Sequence, residues 1–137
     1  MASYNELLVS ARDAETLAAV VGDRRRTDRF EADAADALAD VLIDARMVPH
    51  ERLPQDRVAM NSRVAYREEP GGERRTVALV HPTEAAPSDG RISVLSPVGR
   101  ALLGRKAGSV ASISVPGGRA LMIRVLEVER ARSLEEA

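Results

Sequence analysis

A stretch in the second half of the chain comes close to the spacing of a phosphate-binding loop. Residues 96–109 read SPVGRALLGRKAGS, in which two glycines separated by four residues are followed by Arg105 and Lys106. A phosphate loop needs G-x-x-x-x-G-K-[ST], so that backbone amides and a lysine meet the phosphates where a helix begins. Here arginine replaces the lysine and lysine replaces the hydroxyl residue, so the required chemistry is missing.

A short helix accounts for the same residues. The sequence RALL at positions 100–103 consists of strong helix formers, placed where a phosphate loop would have to be irregular. Ser96 is suited to cap the helix, Pro97 to occupy its first position and Gly104 to follow its last turn. We therefore predict one short helix over residues 96–104 and no nucleotide site.

The elements that must position this helix differ between the two halves of the chain. Residues 11–48 are rich in Ala, Asp and Arg and predict two amphipathic helices that form an antiparallel hairpin. A capping box at residues 10–13 begins the first helix and Gly22 is expected to end it, giving roughly 10 residues or about 15 Å. The predicted tip is GDRRRTDRFE, residues 22–31.

The second half predicts an antiparallel arrangement of strands. After the Pro-containing segment at residues 48–57, short apolar and β-branched runs alternate with Gly- and Pro-containing turns. The predicted strands are residues 63–67, 76–80, 92–95, 110–115 and 121–128.

Composition excludes several classes of function. The chain of 137 residues has no Cys, a formal net charge of −1, two Tyr, one Phe and no Trp. Disulfides and thiolate metal sites are therefore excluded, and nothing resembles a membrane span or a signal peptide. His50 and His81 lack the neighbours of a catalytic triad or metal site. We expect a soluble cytoplasmic protein without a cofactor or metal.

The pattern in residues 96–118, SPVGRALLGRKAGSVASISVPGG, resembles the C-terminal domain of the Gre transcript-cleavage factors. In that domain a Ser-Pro turn opens a short helix ending in Leu-(Leu/Ile)-Gly, followed by a strand and Pro-Gly-Gly. Residues 35–48 and 53–68 are similar to one branch of this family, the regulators of nucleoside diphosphate kinase (Rnk). The resemblance covers roughly residues 6–130.

The resemblance implies an α+β protein in two parts. Residues 1–50 would form a short coiled-coil hairpin with an N-terminal arm. Residues 51–137 would form an FKBP-like domain, with a twisted antiparallel sheet and one short helix. The family binds core RNA polymerase at the rim of the secondary channel. Carried over residue by residue, the contact surface falls on Leu95, Ser96, Pro97 and Arg100.

The charged residues of the tip decide between two functions within this family. Gre factors carry an acidic pair at the tip that helps to hold a second magnesium ion for cleavage. The corresponding region here contains Asp23, Asp28 and Glu31, but Asp28 and Glu31 also have capping-box spacing. The same region carries arginines that compete with a metal for carboxylates, namely Arg24, Arg25, Arg26 and Arg29.

We therefore expect a polymerase-binding regulator that competes with Gre factors and is not an enzyme. Two alternatives stay open: a Gre-type factor that stimulates cleavage through its tip acids, and a free-standing protein or nucleic-acid interaction module. The tip arginines could contact polymerase or RNA, or form ion pairs within the turn. No small-molecule substrate and no membrane contact are expected.

Other charged sets have less specific interpretations. Four acids at helical spacing predict a solvated face or a surface for a basic partner: Asp33, Asp36, Asp40 and Asp44. A nucleic-acid surface would use Arg63, Arg67, Arg74 and Arg75, which acids at Glu68, Glu69 and Glu73 balance. Prolyl isomerase activity needs an aromatic pocket, and Tyr66 is the only aromatic residue in the predicted C-terminal domain.

Overall fold

The computed structural model describes residues 6–24, 29–115 and 117–131, with backbone alone for residues 29, 30, 114 and 115. Helices and strands follow in this order: β1 (Leu8–Ser10), α1 (Ala11–Arg24), α2 (Arg29–Asp44), β2 (Arg46–Val48), β3 (Arg63–Glu69), β4 (Arg75–Val80), β5 (Arg91–Ser93), α3 (Pro97–Leu102), β6 (Val110–Val115) and β7 (Arg119–Glu129). Short 3-10 turns occupy His50–Arg52, Pro82–Glu84 and Pro87–Asp89. No helix in the described part of the chain is long and apolar enough to cross a membrane.

The first helix begins where the sequence predicts and ends later. The Ser10 hydroxyl accepts a hydrogen bond from the Asp13 amide at 3.0 Å, which caps α1. The helix has 14 residues instead of roughly 10 and continues through Gly22 to Arg24. The preceding Val20 and Val21 are buried, and their packing favours the helix more strongly than one exposed glycine opposes it.

The segments that enter and leave the helical hairpin are paired at its base. Strand β1 pairs in parallel with β2, and the Arg46 amide donates to the Leu7 carbonyl at 2.8 Å. The chain therefore leaves along α1 and returns along α2, as the predicted antiparallel hairpin requires. The N-terminal arm also reaches the second half, because the Leu8 amide donates to the Gly104 carbonyl at 3.1 Å.

The large sheet contains five strands in the order β5-β4-β3-β7-β6. Three pairs are antiparallel, whereas β4 and β5 are parallel. The α+β class with an N-terminal helical hairpin is confirmed, but the prediction of an entirely antiparallel sheet is wrong at this pair. The reason is residues 81–90, whose two 3-10 turns carry the chain back to Ala78 in the middle of β4, so that β5 runs in the same direction.

One hydrophobic core spans both halves of the chain. Leu17 and Leu38 of the hairpin are fully buried. They belong to the same cluster as Leu79 in β4, Leu102 in α3 and Ile123 in β7. The Asp13 carboxylate adds a polar link by accepting from the Met60 amide at 3.0 Å. The proposed division of the chain at residues 50 and 51 stays a prediction.

A buried arginine fastens the arm to the end of α3. The Arg57 side chain is 5% exposed, and its guanidinium donates to the carbonyl oxygens of Glu6 and, at 3.1 Å, Gly104. Carbonyl acceptors let the cation keep its hydrogen bonds in a place that water does not reach. The arm and the segment after α3 are thereby held in one position relative to each other.

Candidate functional site

Helix α3 begins as the sequence predicts. The Ser96 Oγ accepts from the Gly99 amide at 3.0 Å and donates to the Ser93 carbonyl at 2.7 Å, while Pro97 occupies the first turn. Leu102 and Leu103 are fully buried, and Gly104 follows with a φ of 78°. The residues whose spacing is similar to that of a phosphate loop thus form a capped helix, and the prediction of a short helix here is confirmed.

Gly99 has a role in this turn that the sequence analysis missed. A Cβ placed on Gly99 would lie 2.2 Å from the Ser93 carbonyl oxygen, closer than any side chain tolerates. The first turn of α3 can therefore approach the end of β5 only because this residue has no side chain. The available signal was a glycine inside a stretch of otherwise good helix formers.

Arg100 is held against the start of α3. Its guanidinium donates to the Leu95 carbonyl, and the side chain is half-buried. Burial lowers the pKa of Arg100 from its ordinary value, and the group stays charged at neutral pH because that ordinary value is so high. Arg100 therefore presents a fixed positive charge beside the half-buried Leu95 and Ser96 and the exposed Pro97.

The structure brings this region and the tip end of the helical hairpin together in one groove. The groove has a volume of about 630 Å³. One wall comes from β5, α3 and the 3-10 turn at Pro82–Glu84, and the other from the last turn of α1 and the first turns of α2. The lining residues are Pro82, Ser93, Leu95, Ser96, Pro97, Arg100, Arg24, Glu31, Asp33 and Ala34.

All four predicted contact residues of the second half line this groove, and two of the predicted tip residues join them. Arg24 and Glu31 form an ion pair across the hairpin with 3.6 Å between Nη1 and Oε1. Their side chains are 28% and 34% exposed. For Arg24 and Glu31, this contact agrees with the interpretation that the tip charges form ion pairs within the hairpin.

The remaining tip residues lie elsewhere. Asp23 is exposed and is not part of the groove wall. Arg25, Arg26 and Asp28 lie outside the described residues, as does the side chain of Arg29. Within residues 6–24, 29–115 and 117–131, no three His, Asp or Glu side chains are placed so that they could hold a metal ion together.

The other candidate sets are separate from the groove, apart from Asp33. Asp33, Asp36, Asp40 and Asp44 are exposed along α2, as the helical spacing predicts. Among the arginines of the first β-hairpin, Arg74 pairs with Glu127 at 2.7 Å and Arg67 with Glu69 at 3.7 Å. Glu127, on β7, is a balancing acid that the sequence analysis did not name.

The two histidines have local positions in turns. The His81 Nδ1 accepts from the Thr83 amide at 3.2 Å and so caps the 3-10 turn at Pro82–Glu84. His50 opens the 3-10 turn at His50–Arg52.

Comparison with known proteins identifies the family. The family described as "Transcription elongation factor, GreA/GreB, C-term" matches residues 53–130. The regulator of nucleoside diphosphate kinase of Escherichia coli K12 is 44% identical over 95 residues, which cover 69% of this chain and 70% of that protein. The transcription elongation factor GreA of Syntrophomonas wolfei is 35% identical over 94 residues, which cover 69% of this chain and 58% of GreA.

A solved structure extends the likeness to nearly the whole chain. The prokaryotic transcription elongation factor GreA/GreB from Nitrosomonas europaea has a TM-score of 0.70 and 35% sequence identity. The match covers 91% of this chain and 98% of that one. The chain belongs to the GreA/GreB family of transcription elongation factors, and the resemblance drawn from residues 96–118 is confirmed.

Proposed function

We propose that this protein is a cytoplasmic, non-enzymatic regulator that binds core RNA polymerase through the groove beside α3. In this proposal Leu95, Ser96, Pro97 and Arg100 form the contact surface, which docks at the rim of the secondary channel. The bound protein would compete with Gre factors for that position. It would need no cofactor and no small-molecule substrate.

The observation that carries the proposal is the composition of the groove. The family resemblance implies four contact residues, and all four line a single groove. That surface combines an exposed proline and a partly exposed leucine with the fixed cation Arg100, while the hairpin wall adds the Arg24–Glu31 ion pair and Asp33. Apolar contact with a few placed charges is the usual chemistry of a specific protein interface.

The position of the hairpin supports the absence of cleavage activity. A cleaving tip has to extend away from its own domain and present free carboxylates to a metal ion. Here Arg24 and Glu31, described residues on either side of the tip, line the groove beside α3, and Glu31 faces the guanidinium of Arg24. This arrangement supports a competitor rather than a cleavage factor.

Competition for core RNA polymerase tests the proposal. We would titrate the protein against polymerase carrying labelled GreA and follow transcript cleavage in backtracked complexes in the same samples. We expect displacement of GreA together with loss of cleavage. Displacement with sustained cleavage would instead favour Asp28 and Glu31 as metal-binding acids. No displacement would remove polymerase as the partner and leave an interaction module.

A charge placed on the contact surface locates the interface. Pro97→Glu introduces a carboxylate at an exposed first-turn position that helices accept well, so folding should be preserved. We expect at least about a tenfold weaker competition, as for a charge placed in an interface centre. Thr76→Glu, exposed on β4 away from the groove, is the matched control and should compete like the wild type.

A further inference from the structure

The two edge strands of the large sheet differ in the hydrogen bonds on their outer sides. Strands β5 and β6 are its edge strands. The outer side of β5 is paired at its first residue, because Ala86 and Arg91 exchange backbone hydrogen bonds of 2.8 and 3.1 Å. For β6, the hydrogen bonds given by the described residues run to β7 alone. Within the described part of the chain, the outer side of residues 110–115 thus has no hydrogen-bonded partner strand and is the open edge of the sheet.

The register of β6 identifies which backbone groups face this edge. The Val125 amide donates to the Ser109 carbonyl at 2.9 Å, and Val110 then stands opposite Arg124. In an antiparallel pair, successive residues turn their N–H and C=O groups alternately toward and away from the partner strand. Because Ser109 faces β7, the backbone groups of Val110, Ser112 and Ser114 point to the open edge.

The side chains of β6 do nothing to protect the edge. Its sequence, VASISV, contains no charged residue and no proline, whereas each of the other four strands of this sheet carries at least one arginine. Charges, prolines and bulges are the usual means of preventing strand addition at an edge. Ala111 and Ile113 are buried, and Ser112 is exposed next to Met122, which is 42% exposed.

We propose that β6 pairs antiparallel with β6 of a second copy of this chain, around a two-fold axis at Ser112. In this register Ser112 meets its own counterpart and Val110 meets Ser114, which gives about six backbone hydrogen bonds. On the buried side each Ala111 faces an Ile113, so that a small residue opposes a large one. No like charges meet, and the sheet becomes continuous through both copies.

The partner is a second copy of this chain because the length and uncharged sequence of β6 are complementary to themselves in an antiparallel pair. A charged partner segment would find no opposing charge in the sequence VASISV, whereas an identical strand matches its length and its lack of charge. Strand pairing without a large apolar interface produces weak association. We therefore expect a dimer that forms at roughly hundred-micromolar concentrations and dissociates on dilution.

Sedimentation velocity of the full chain tests the proposal. We expect the wild type to shift from monomer to dimer as its concentration is raised to about one millimolar. Ser112→Lys and Ser112→Glu should each stay monomeric, because like charges would stand directly opposite each other. An equimolar mixture of the two variants should recover the dimer. Thr76→Lys, exposed on an interior strand, is the matched control and should associate like the wild type.

Circular dichroism of each variant separates an effect on association from an effect on folding. A wild type that remains monomeric throughout would overturn the proposal. Association of Ser112→Lys at wild-type strength would overturn it as well, because the dimer would then use another surface. Slower amide exchange at Val110, Ser112 and Ser114 at high concentration would assign the interface to this edge.

Discussion

Gly99 lets the first turn of α3 pack closely against the backbone of Ser93. A Cβ at this position would lie only 2.2 Å from the carbonyl oxygen of Ser93, so an alanine there forces the backbone apart. We expect Gly99→Ala to lower the free energy of unfolding by about 2–4 kcal/mol, in the range of severe steric substitutions. Urea denaturation followed by circular dichroism measures the change.

Gly22 supplies the matched control for this substitution. It lies inside α1, and a Cβ there would have no atom within 4 Å. Gly22→Ala should therefore raise the free energy of unfolding by about 0.5–1 kcal/mol, because alanine favours the helix. Equal effects of the two substitutions would contradict the argument that α3 needs glycine because of contact with Ser93.

Glu69 makes the stability of the sheet depend on pH. The hydrogen bond from Arg124 lowers the pKa of the Glu69 carboxyl, with a smaller contribution from the charge of Arg67. Because the pKa in the folded protein is below the ordinary value of 4.5, the stabilisation is complete above that value. It is lost as the pH falls through the lowered pKa. Arg124 also donates to the Gly108 carbonyl at 2.9 Å, so this contact joins β3, β7 and the segment before β6.

The variant Glu69→Gln tests this dependence. We expect it to be less stable than the wild type at neutral pH, because the charged partner of Arg124 is gone. The difference between the two proteins should shrink below about pH 4.5 and vanish when the wild-type carboxyl is protonated. Urea denaturation over a series of pH values measures it. A difference that stays constant into strong acid would show that the carboxylate charge is not responsible.

At the scale of elements, Asp13 links the start of α1 to the segment before β3. Its carboxylate accepts from the Met60 amide at 3.0 Å, and Met60 lies outside the strands. We expect Asp13→Ala to lower the free energy of unfolding by about 1–3 kcal/mol, because a partly buried amide loses its acceptor. Amide exchange at Met60 should accelerate with it.

The control for this link is an acid on the same hairpin that makes a different contribution. Asp44 is exposed in the last turn of α2, where a negative charge opposes the helix dipole. Asp44→Ala should raise the free energy of unfolding by about 0.3–1 kcal/mol. A similar loss from both substitutions would indicate a general effect of removing acids rather than the link to Met60.

Elements that depend on local sequence were predictable, and pairings between distant segments were not. Capping residues and alternating patterns located both hairpin helices, α3 and the five strands of the large sheet to within a few residues. The end of α1 was missed because buried Val20 and Val21 outweigh Gly22. The parallel pairs β4–β5 and β1–β2 depend on how loops return the chain, which local patterns do not encode.

The candidate site was predictable as two lists of residues but not as one surface. The resemblance to the Gre C-terminal domain implied Leu95, Ser96, Pro97 and Arg100, and the charged turn indicated Arg24 and Glu31. Their meeting in one groove follows from the packing of the hairpin on the sheet and α3, which lies beyond the reach of sequence spacing. Asp33 and Ala34 were missed as groove residues for the same reason.

At the scale of the whole molecule, the shared core connects the hairpin to the surface that we propose for polymerase binding. Leu38 of α2 and Leu102 of α3 are fully buried in the same cluster. The groove therefore keeps its shape only while the hairpin stays packed on the second half. Loosening the hairpin should alter both walls together, because one wall belongs to each part.

A shared core also predicts that the chain unfolds as one unit. Leu38→Ala removes fully buried side-chain atoms from the hairpin and should lower the free energy of unfolding by about 2–5 kcal/mol. Helical circular dichroism and amide exchange at Ile123 in β7 should report the same loss. Ile43→Ala, whose side chain is 77% exposed on the same helix, should change both by less than about 0.5 kcal/mol. If Leu38→Ala weakened the helical signal and left Ile123 fully protected, the hairpin would be an independent unit, and the geometry of the groove would not be fixed by the core.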